Sequence, residues 1–384
     1  MGLRFHWSLS SAGEKFRGAQ SRNTQSGLPN LKALVEFCQH AEECGIESLL
    51  TAFGFHRPDP MVLASAVGMA TEKIKFMVAV RSGIFSPTVF VQQVNTVSAF
   101  INGRICLNVV AGHTPAEQRS YGDFLDHDHR YRRTDEFLTV CHSLWQNGPV
   151  NFEGQYYRIE NGKLNTPFVC GERSRPEIYL GGNSALAEEL AIKHADCLWR
   201  LPDVPEALKP RIRVLRAKGV EVGLLVSVIA RSTHEEAVQA ASSIIAGLGE
   251  KPRNTHKEFA RRSDSVAFTS VLEKAETGVS EWLTPYLWTG AVPYLGAPSI
   301  ALVGSAEEVA SAMMEYQRIG VSQFLLMGWP DLEEMTFFNQ VVLPLIRAKE
   351  QKERQAAIQP FFQPETSLHA SVQETGNEEH AHKN

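Results

Sequence analysis

The chain of 384 residues lacks the features that would place it in a membrane, on a nucleic acid or among disulfide-stabilised proteins. No apolar run approaches the roughly 18 residues that a membrane-spanning helix needs, and residues 1–7 show no signal-peptide pattern. The formal net charge of −5 argues against a nucleic acid or an anionic membrane surface as partner. The six cysteines are scattered without a C-x-x-C pair, which predicts reduced thiols. We therefore expect a soluble cytoplasmic protein.

Several catalytic motifs are also missing. The sequence contains no H-E-x-x-H, G-x-S-x-G or Walker A motif, and its 13 histidines show no metal-ligand spacing, so we expect no metal site. The first strand–helix turn has no G-x-G-x-x-G fingerprint. Its absence disfavours the main competing architecture, an open doubly wound sheet that binds a dinucleotide.

What the chain does contain is a repeated alternation of strand and helix patterns. Eight apolar strand patterns are each followed by a helical one, at residues 4–9, 48–52, 75–80, 104–111, 177–180, 196–200, 222–230 and 323–327. This alternation predicts a (β/α)₈ TIM barrel with insertions over residues 1–350. Residues 249–298 break the periodicity, and we interpret them as a long loop that forms an active-site lid. The polar residues 360–384 predict a disordered C-terminal tail.

Candidate site residues follow the strand patterns, because barrel active sites lie at the carboxyl ends of the strands. Asn108 is the one amide in an otherwise apolar strand, so it is either a satisfied core group or a ligand contact. The turn Gly181-Gly182-Asn183-Ser184 allows close backbone approach and runs directly into a helix. The free N–H groups at that helix start could bind a phosphate, although an ordinary serine-capped turn fits equally well.

Four further side chains have both a functional and a structural interpretation. Arg130 and Tyr131 open a helical pattern that runs to about residue 146. Arg130 could pair with a phosphate and Tyr131 could stack or donate a hydrogen bond; the alternative is a surface arginine and a packed tyrosine. His56 and His113 each follow a strand and could move protons, but either could be an ordinary loop histidine.

Eight short stretches together resemble the bacterial-luciferase-like family of flavin-dependent monooxygenases, especially its two-component alkanesulfonate monooxygenases. They are KFMVAVR at 75–81, SPT at 86–88, NGR at 102–104, FLDH at 124–127, RY at 130–131, YLGG at 179–182, ALVG at 301–304 and PDLEE at 330–334. The resemblance runs from about residue 4 to residue 348 and implies a barrel that binds reduced FMN and uses O₂ to oxygenate a small organic substrate. It also implies a separate NAD(P)H:flavin reductase that supplies the reduced FMN.

The resemblance also indicates residue roles. The family's flavin contacts fall on Asn108, Arg130, Tyr131 and Ser184, and we add Gly182 and Ala79 as candidate cofactor-binding residues. The inserted segment corresponds to the family's mobile lid, which would keep water from the reacting flavin. We expect a homodimer or homotetramer, since closed symmetric oligomers are the common default.

The chain departs from the alkanesulfonate enzymes at the residues that would hold a sulfonate. Their Arg-x-His pair on the seventh strand is replaced by Leu225 and Ser227, and their lid arginine by Leu295. Their tyrosine before the final proline is replaced by Trp329 and their cysteine by Arg57. Each lost charge-assisted partner costs on the order of 1.5–3 kcal/mol. The replacements predict a neutral or weakly polar substrate rather than a simple alkanesulfonate.

We take four residues as candidate catalytic residues: His56, Arg57, His113 and Trp329. Three alternatives stay open. The first is an alkanesulfonate-type monooxygenase with a rearranged anion site, in which Arg57, Arg81 or Arg200 binds the sulfonate. The second is a reductase that uses a deazaflavin coenzyme on the same barrel. The third is a non-catalytic flavin carrier or partner subunit.

Overall fold

The computed structural model describes residues 2–11, 24–25, 28–54, 57–112, 114–146, 148–246, 248, 250–278 and 280–358. At its centre eight parallel strands form a closed barrel, in which each strand pairs with its sequence neighbours and the last pairs with the first. The strands are β1 (Arg4–Ser8), β2 (Ser48–Thr51), β3 (Lys75–Val80), β4 (Ile105–Val109), β5 (Glu177–Gly181), β6 (Cys197–Arg200), β7 (Glu221–Arg231) and β8 (Gln323–Gly328). The predicted (β/α)₈ barrel is confirmed.

The strands lack polar–apolar alternation because both of their faces are covered. In β3 every residue after Lys75 is buried, as expected for a parallel strand between a filled barrel interior and a layer of helices. Six buried side chains from five strands form one cluster inside the barrel: Met77, Cys106, Tyr179, Cys197, Trp199 and Leu325. At the amino end of the strands, Arg4 closes the barrel through ion pairs with Glu47 (2.5 Å) and Glu177 (2.7 Å).

Helices surround the barrel. They are α1 (Leu31–Glu43), α2 (Pro60–Gly68), α3 (Pro87–Phe100), α4 (Pro115–Ser120), α5 (His127–Trp145), α6 (Ala185–His194), α7 (Pro205–Ala217), α8 (His234–Ile245), α9 (Glu250–Arg262), α10 (Val266–Thr277), α11 (Val292–Leu295), α12 (Ala306–Arg318), α13 (Asp331–Phe337) and α14 (Leu343–Ile358), with a 3₁₀ turn at Ala297–Ser299 and a π-helical turn at Phe338–Val342. Several of them begin directly after a capping residue: Asn30 accepts from the Ala33 amide (3.3 Å), and Ser305 forms a complete capping box with Glu308. None of the described helices combines the length and apolar composition needed to span a bilayer.

Additional strands lie outside the barrel. The strand Ala301–Ser305 pairs in parallel with the carboxyl-terminal half of β7. The strand Leu287–Trp288 pairs antiparallel with Ala301–Ser305. Two small hairpins pair Thr24–Gln25 with Leu28–Pro29 and Val150–Glu153 with Arg158–Gly162.

The inserted segment differs from its prediction as a long loop. Residues 250–277 form the two helices α9 and α10, joined by a short connection. In α9 the apolar residues are too few to show a helical period. In α10 the apolar residues Ala267, Val271 and Leu272 do recur at helical spacing, and the prediction missed this pattern. At the other end of the chain, α14 continues to Ile358, beyond the expected barrel boundary at 350. The predicted tail at 360–384 lies outside the described residues.

Candidate active site

A cavity of about 200 Å³ opens at the carboxyl ends of the strands, where barrel active sites lie. Leu50, Leu225 and Leu325 lie in its lining from β2, β7 and β8. Further lining residues come from the ends of strands β4, β5 and β6, from helices α5 and α10, and from the connection between α9 and α10. The cavity therefore combines an apolar part with the strand ends that carry the predicted cofactor-binding residues.

Asn108 is the predicted strand amide, and it lines this cavity from β4. Its Oδ1 atom is buried and has no hydrogen-bond partner within the described part of the chain. A buried acceptor left without a partner costs about 1–3 kcal/mol. The amide is thus suited to accept a hydrogen bond from an N–H group of a bound molecule.

The turn between β5 and α6 brings backbone and hydroxyl groups to the same cavity. Gly182 and Ser184 both line it, and the Ser184 hydroxyl caps α6 by accepting from the Ala187 amide at 3.2 Å. A Cβ atom on Gly182 would lie 2.6 Å from the Ala187 Cβ, so only glycine allows this close turn. The start of α6 therefore presents a helix N-terminus to the cavity, a favourable position for an anionic group.

Tyr131 reaches the cavity from the first turns of α5. Burial raises the pKa of its hydroxyl, and the hydrogen bond with Ser184 and the positive charge of Arg130 oppose that rise only in part. The phenol therefore stays protonated at neutral pH and can donate a hydrogen bond. Tyr131 and Ser184 together provide hydroxyl groups beside the N-terminus of α6.

Arg130 lies directly behind this wall and is only 1% exposed. Its Nε donates to the Ala111 carbonyl (3.0 Å) and its Nη1 to the Leu125 carbonyl (2.9 Å). Its Nη2 forms an ion pair with Asp264, which lies in the connection between α9 and α10. The arginine that the sequence predicts for a phosphate therefore has a carboxylate of the inserted segment as its anionic partner.

Two side chains of β6 add polar groups to the lining. Trp199 stacks on Tyr179 with ring centroids 5.3 Å apart, and its buried Nε1 has no hydrogen-bond partner among the described residues. Arg200 is almost fully buried and pairs with Glu188 of α6 at 2.5 Å. The positive charge of Arg200 is thus already balanced beside the start of α6.

Of the other predicted site residues, those that the structure describes do not line the cavity. Ala79 lies opposite Asn108 in the register between β3 and β4. Arg57 is partly buried elsewhere, and Trp329 packs in a separate apolar cluster that includes Trp288. His56 and His113 lie outside the described residues. The structure brings together Asn108, Tyr131, Gly182 and Ser184 at the cavity and Arg130 behind it.

The sequence analysis assigned the inserted segment to the active site but singled out none of residues 264–268. Asp264 and Phe268 line the cavity, and Ser265 caps α10 by accepting from the Phe268 amide at 3.4 Å. Neither residue stands out in the sequence, because a contact between an insertion and a distant barrel strand leaves no local pattern.

A sequence model of the luciferase-like monooxygenase family matches residues 3–323. The chain belongs to this family. The resemblance to luciferase-like flavin-dependent monooxygenases is therefore confirmed, while the closer likeness to alkanesulfonate monooxygenases stays a prediction.

Solved structures of similar fold include three with different activities. A riboflavin lyase, solved with modified FMN and its substrate riboflavin, has a TM-score of 0.74 at 20% identity, and the match covers 91% of this chain and 92% of the lyase chain. An EDTA monooxygenase from Chelativorans sp. BNC1 has a TM-score of 0.73 at 18% identity, with coverage of 91% and 95%. An F420-dependent secondary alcohol dehydrogenase has a TM-score of 0.62 at 18% identity, with coverage of 90% and 99%. At these identities the likeness concerns the fold.

Proposed function

We propose that this protein is a reduced-FMN-dependent monooxygenase that uses O₂ to oxygenate a small organic substrate. A separate NAD(P)H:flavin reductase supplies the reduced FMN, and the enzyme acts as a homodimer or homotetramer. Family membership supports monooxygenase chemistry. The observation that carries the choice of cofactor is the convergence of Asn108, Tyr131 and the N-terminus of α6 on one cavity.

The donors and acceptors at the cavity fit a phosphorylated flavin. The phosphate would be held by the N-terminus of α6, the Ser184 and Tyr131 hydroxyls and the Arg130 guanidinium, the groups that bind phosphate in proteins. The Asn108 Oδ1, which lacks a partner in the described chain, would accept a hydrogen bond from a ring N–H group. Ala79 would pack behind this amide.

In the proposed reaction the protein binds and orients the flavin and the substrate and keeps water away from the reacting centre. When bound, reduced FMN supplies the electrons that activate O₂. Leu50, Leu225 and Leu325 line the cavity from the barrel side, and Phe268 lines it from the inserted segment. This apolar surface would exclude water from the reacting centre. We keep the inserted segment as the proposed lid, and His56, Arg57, His113 and Trp329 as candidates for proton transfer or substrate contact.

The substrate is proposed to be neutral or weakly polar. Leu225 lines the cavity at a position where alkanesulfonate enzymes carry arginine. The Ser227 hydroxyl donates to the Pro298 carbonyl at 3.1 Å, and Ser227 does not line the cavity. Leu295 packs with the Trp288 cluster. A sulfonate would meet no cation at these three positions, so we expect no sustained release of sulfite from simple alkanesulfonates.

The test begins with an anaerobic titration of the protein with reduced FMN, followed by the fluorescence of Trp199 and the other tryptophans. We expect saturable binding that Ser184→Ala weakens. The control Ser243→Ala removes an exposed hydroxyl on α8 and should leave binding unchanged. Failure to bind reduced FMN together with tight binding of a reduced deazaflavin would replace the proposal by the reductase alternative.

Oxygen consumption then separates the remaining alternatives. A monooxygenase supplied with reduced FMN and a substrate incorporates one oxygen atom from ¹⁸O₂ into the product. A reductase turns over its substrate without O₂ uptake, and a carrier subunit binds flavin without forming a product. Label-free product, or turnover in the absence of O₂, would contradict the proposed activity.

A further inference from the structure

The Arg130 side chain is held in one orientation by the barrel loops. Two of its N–H groups donate to the backbone carbonyls of Ala111 and Leu125, and these bonds carry no compensating negative charge. The remaining nitrogen of the guanidinium, Nη2, donates to Asp264, the anionic partner that the structure shows for Arg130. The charge of a fully buried arginine is therefore balanced by a carboxylate from the inserted segment.

Asp264 reaches the cavity that the proposed cofactor would occupy. It lines this cavity together with Tyr131 and Ser184, and its Oδ1 is buried without a hydrogen-bond partner in the described chain. A phosphate bound at the start of α6 and at Arg130 would come close to this carboxylate, and two anions in a buried site repel each other. Asp264 and the phosphate cannot both occupy the position on Arg130.

The size of the cavity leads to the same conclusion. Its volume of about 200 Å³ is below the ≈ 300–1,000 Å³ of typical pockets for small molecules and cofactors. Residues 264–268 form one wall of the cavity, so their outward movement would enlarge it. Displacement of Asp264 would thus free the guanidinium and the space beside it for a phosphate group, while a ligand without a phosphate would leave the Arg130–Asp264 pair in place.

We infer that Asp264 is a specificity-determining residue that occupies the phosphate subsite until a phosphate replaces it on Arg130. The inference rests on the proposed function, since the phosphate is that of the flavin. A phosphomonoester is close to a dianion at neutral pH and offers three acceptor oxygens, so it can take over the ion pair. Riboflavin has no anion to exchange for the Asp264 carboxylate. Asp264 therefore makes opening of the phosphate subsite depend on the phosphate of the ligand.

The test compares Asp264→Asn with wild type for reduced FMN and reduced riboflavin, anaerobically and in phosphate-free buffer. Loss of the competing charge-assisted pair should tighten FMN binding by about tenfold or more. The affinity for riboflavin should change by less than about twofold, because no anion is exchanged. The matched control is Glu258→Gln, which removes the same charge from α9 at a glutamate that pairs with the exposed Arg262.

Inorganic phosphate provides a second arm and separates a flavin phosphate from a free one. It should weaken FMN binding to the wild-type protein without affecting riboflavin, and it should bind Asp264→Asn more tightly. Three results would overturn the inference: unchanged FMN affinity in Asp264→Asn, equal gains for FMN and riboflavin, or the same gain in Glu258→Gln. If the wild-type protein binds no reduced FMN, the proposed function fails, while the phosphate arm still tests the role of Asp264.

Discussion

Asn95 and Asn108 lie on neighbouring elements and differ in their hydrogen bonding, and this difference predicts opposite effects of one substitution. Asn95 on α3 is fully satisfied: its Nδ2 donates to the Thr166 carbonyl (2.7 Å) and its Oδ1 accepts from the Trp145 indole (3.0 Å). The Oδ1 of Asn108 on β4 has no partner within the described residues. Leucine has nearly the same branching as asparagine and removes the polar atoms at either position.

The expected magnitudes follow from this accounting. Asn108→Leu removes a buried acceptor whose missing partner costs about 1–3 kcal/mol, so the ligand-free protein should become more stable by about 1 kcal/mol or more. The same change should weaken the binding of reduced FMN, because the proposed acceptor for a ring N–H is lost. Asn95→Leu leaves the Trp145 N–H and the Thr166 carbonyl without partners and should destabilise the fold by about 2–4 kcal/mol.

Urea unfolding of the two variants and the wild-type protein, with the anaerobic flavin titration beside it, measures both quantities. If Asn108→Leu is more stable than the wild type and binds reduced FMN more weakly, Asn108 serves ligand binding at a cost in stability. A destabilised Asn108→Leu protein, or one that binds reduced FMN as tightly as the wild type, would refute the assignment of this amide to the ligand.

Three further predictions concern the barrel that supports the site. Burial lowers the pKa of His6 from 6.5 to about 4. The Nδ1 atom of the neutral ring accepts from the Ser48 hydroxyl (2.7 Å), and its Nε2 donates to the side-chain Oε1 of Gln323 (2.9 Å). Only the unfolded state takes up this proton between pH 6.5 and 4, so acidification over that range should cost about 3 kcal/mol of unfolding free energy, and His6→Asn should flatten the slope. Gly223→Ala would place a Cβ atom 2.1 Å from the Trp199 ring, which should cost about 1–3 kcal/mol and weaken flavin binding, whereas Gly171→Ala meets open space and should do neither. Ser305→Ala breaks the capping box of α12 and should lower stability by about 1 kcal/mol without changing flavin affinity; equal melting temperatures would contradict it.

The barrel could be predicted because its signals are local and repeated. Each strand pattern is an apolar run that ends near a glycine, proline or capping residue, and β3 has the predicted bounds of 75–80. The start of α5 is less exact: the pattern pointed to Arg130 and Tyr131, but Asp126 caps the helix and it begins at His127. Helix ends shift in this way because a cap three residues upstream changes little in the apolar periodicity.

The candidate site was predictable only where it is built from strand ends. The sequence places Asn108, Gly182 and Ser184 close together because the carboxyl ends of all the parallel strands lie on the same face of a barrel. The pairing of Arg130 with Asp264 spans 134 residues and joins the barrel to the insertion, so no spacing in the sequence encodes it. The helical structure of α9 was missed because ten of its 13 residues are polar or charged, which leaves too few apolar positions to show a helical period.

The most direct measurement is the position of the phosphate in crystals of the protein grown with FMN. We expect the phosphate at the N-terminus of α6, within hydrogen-bonding distance of Ser184 and Tyr131, and we expect Asp264 to have left Arg130. An empty cavity beside Asn108, or a phosphate bound away from α6, would contradict the proposed oxygenase.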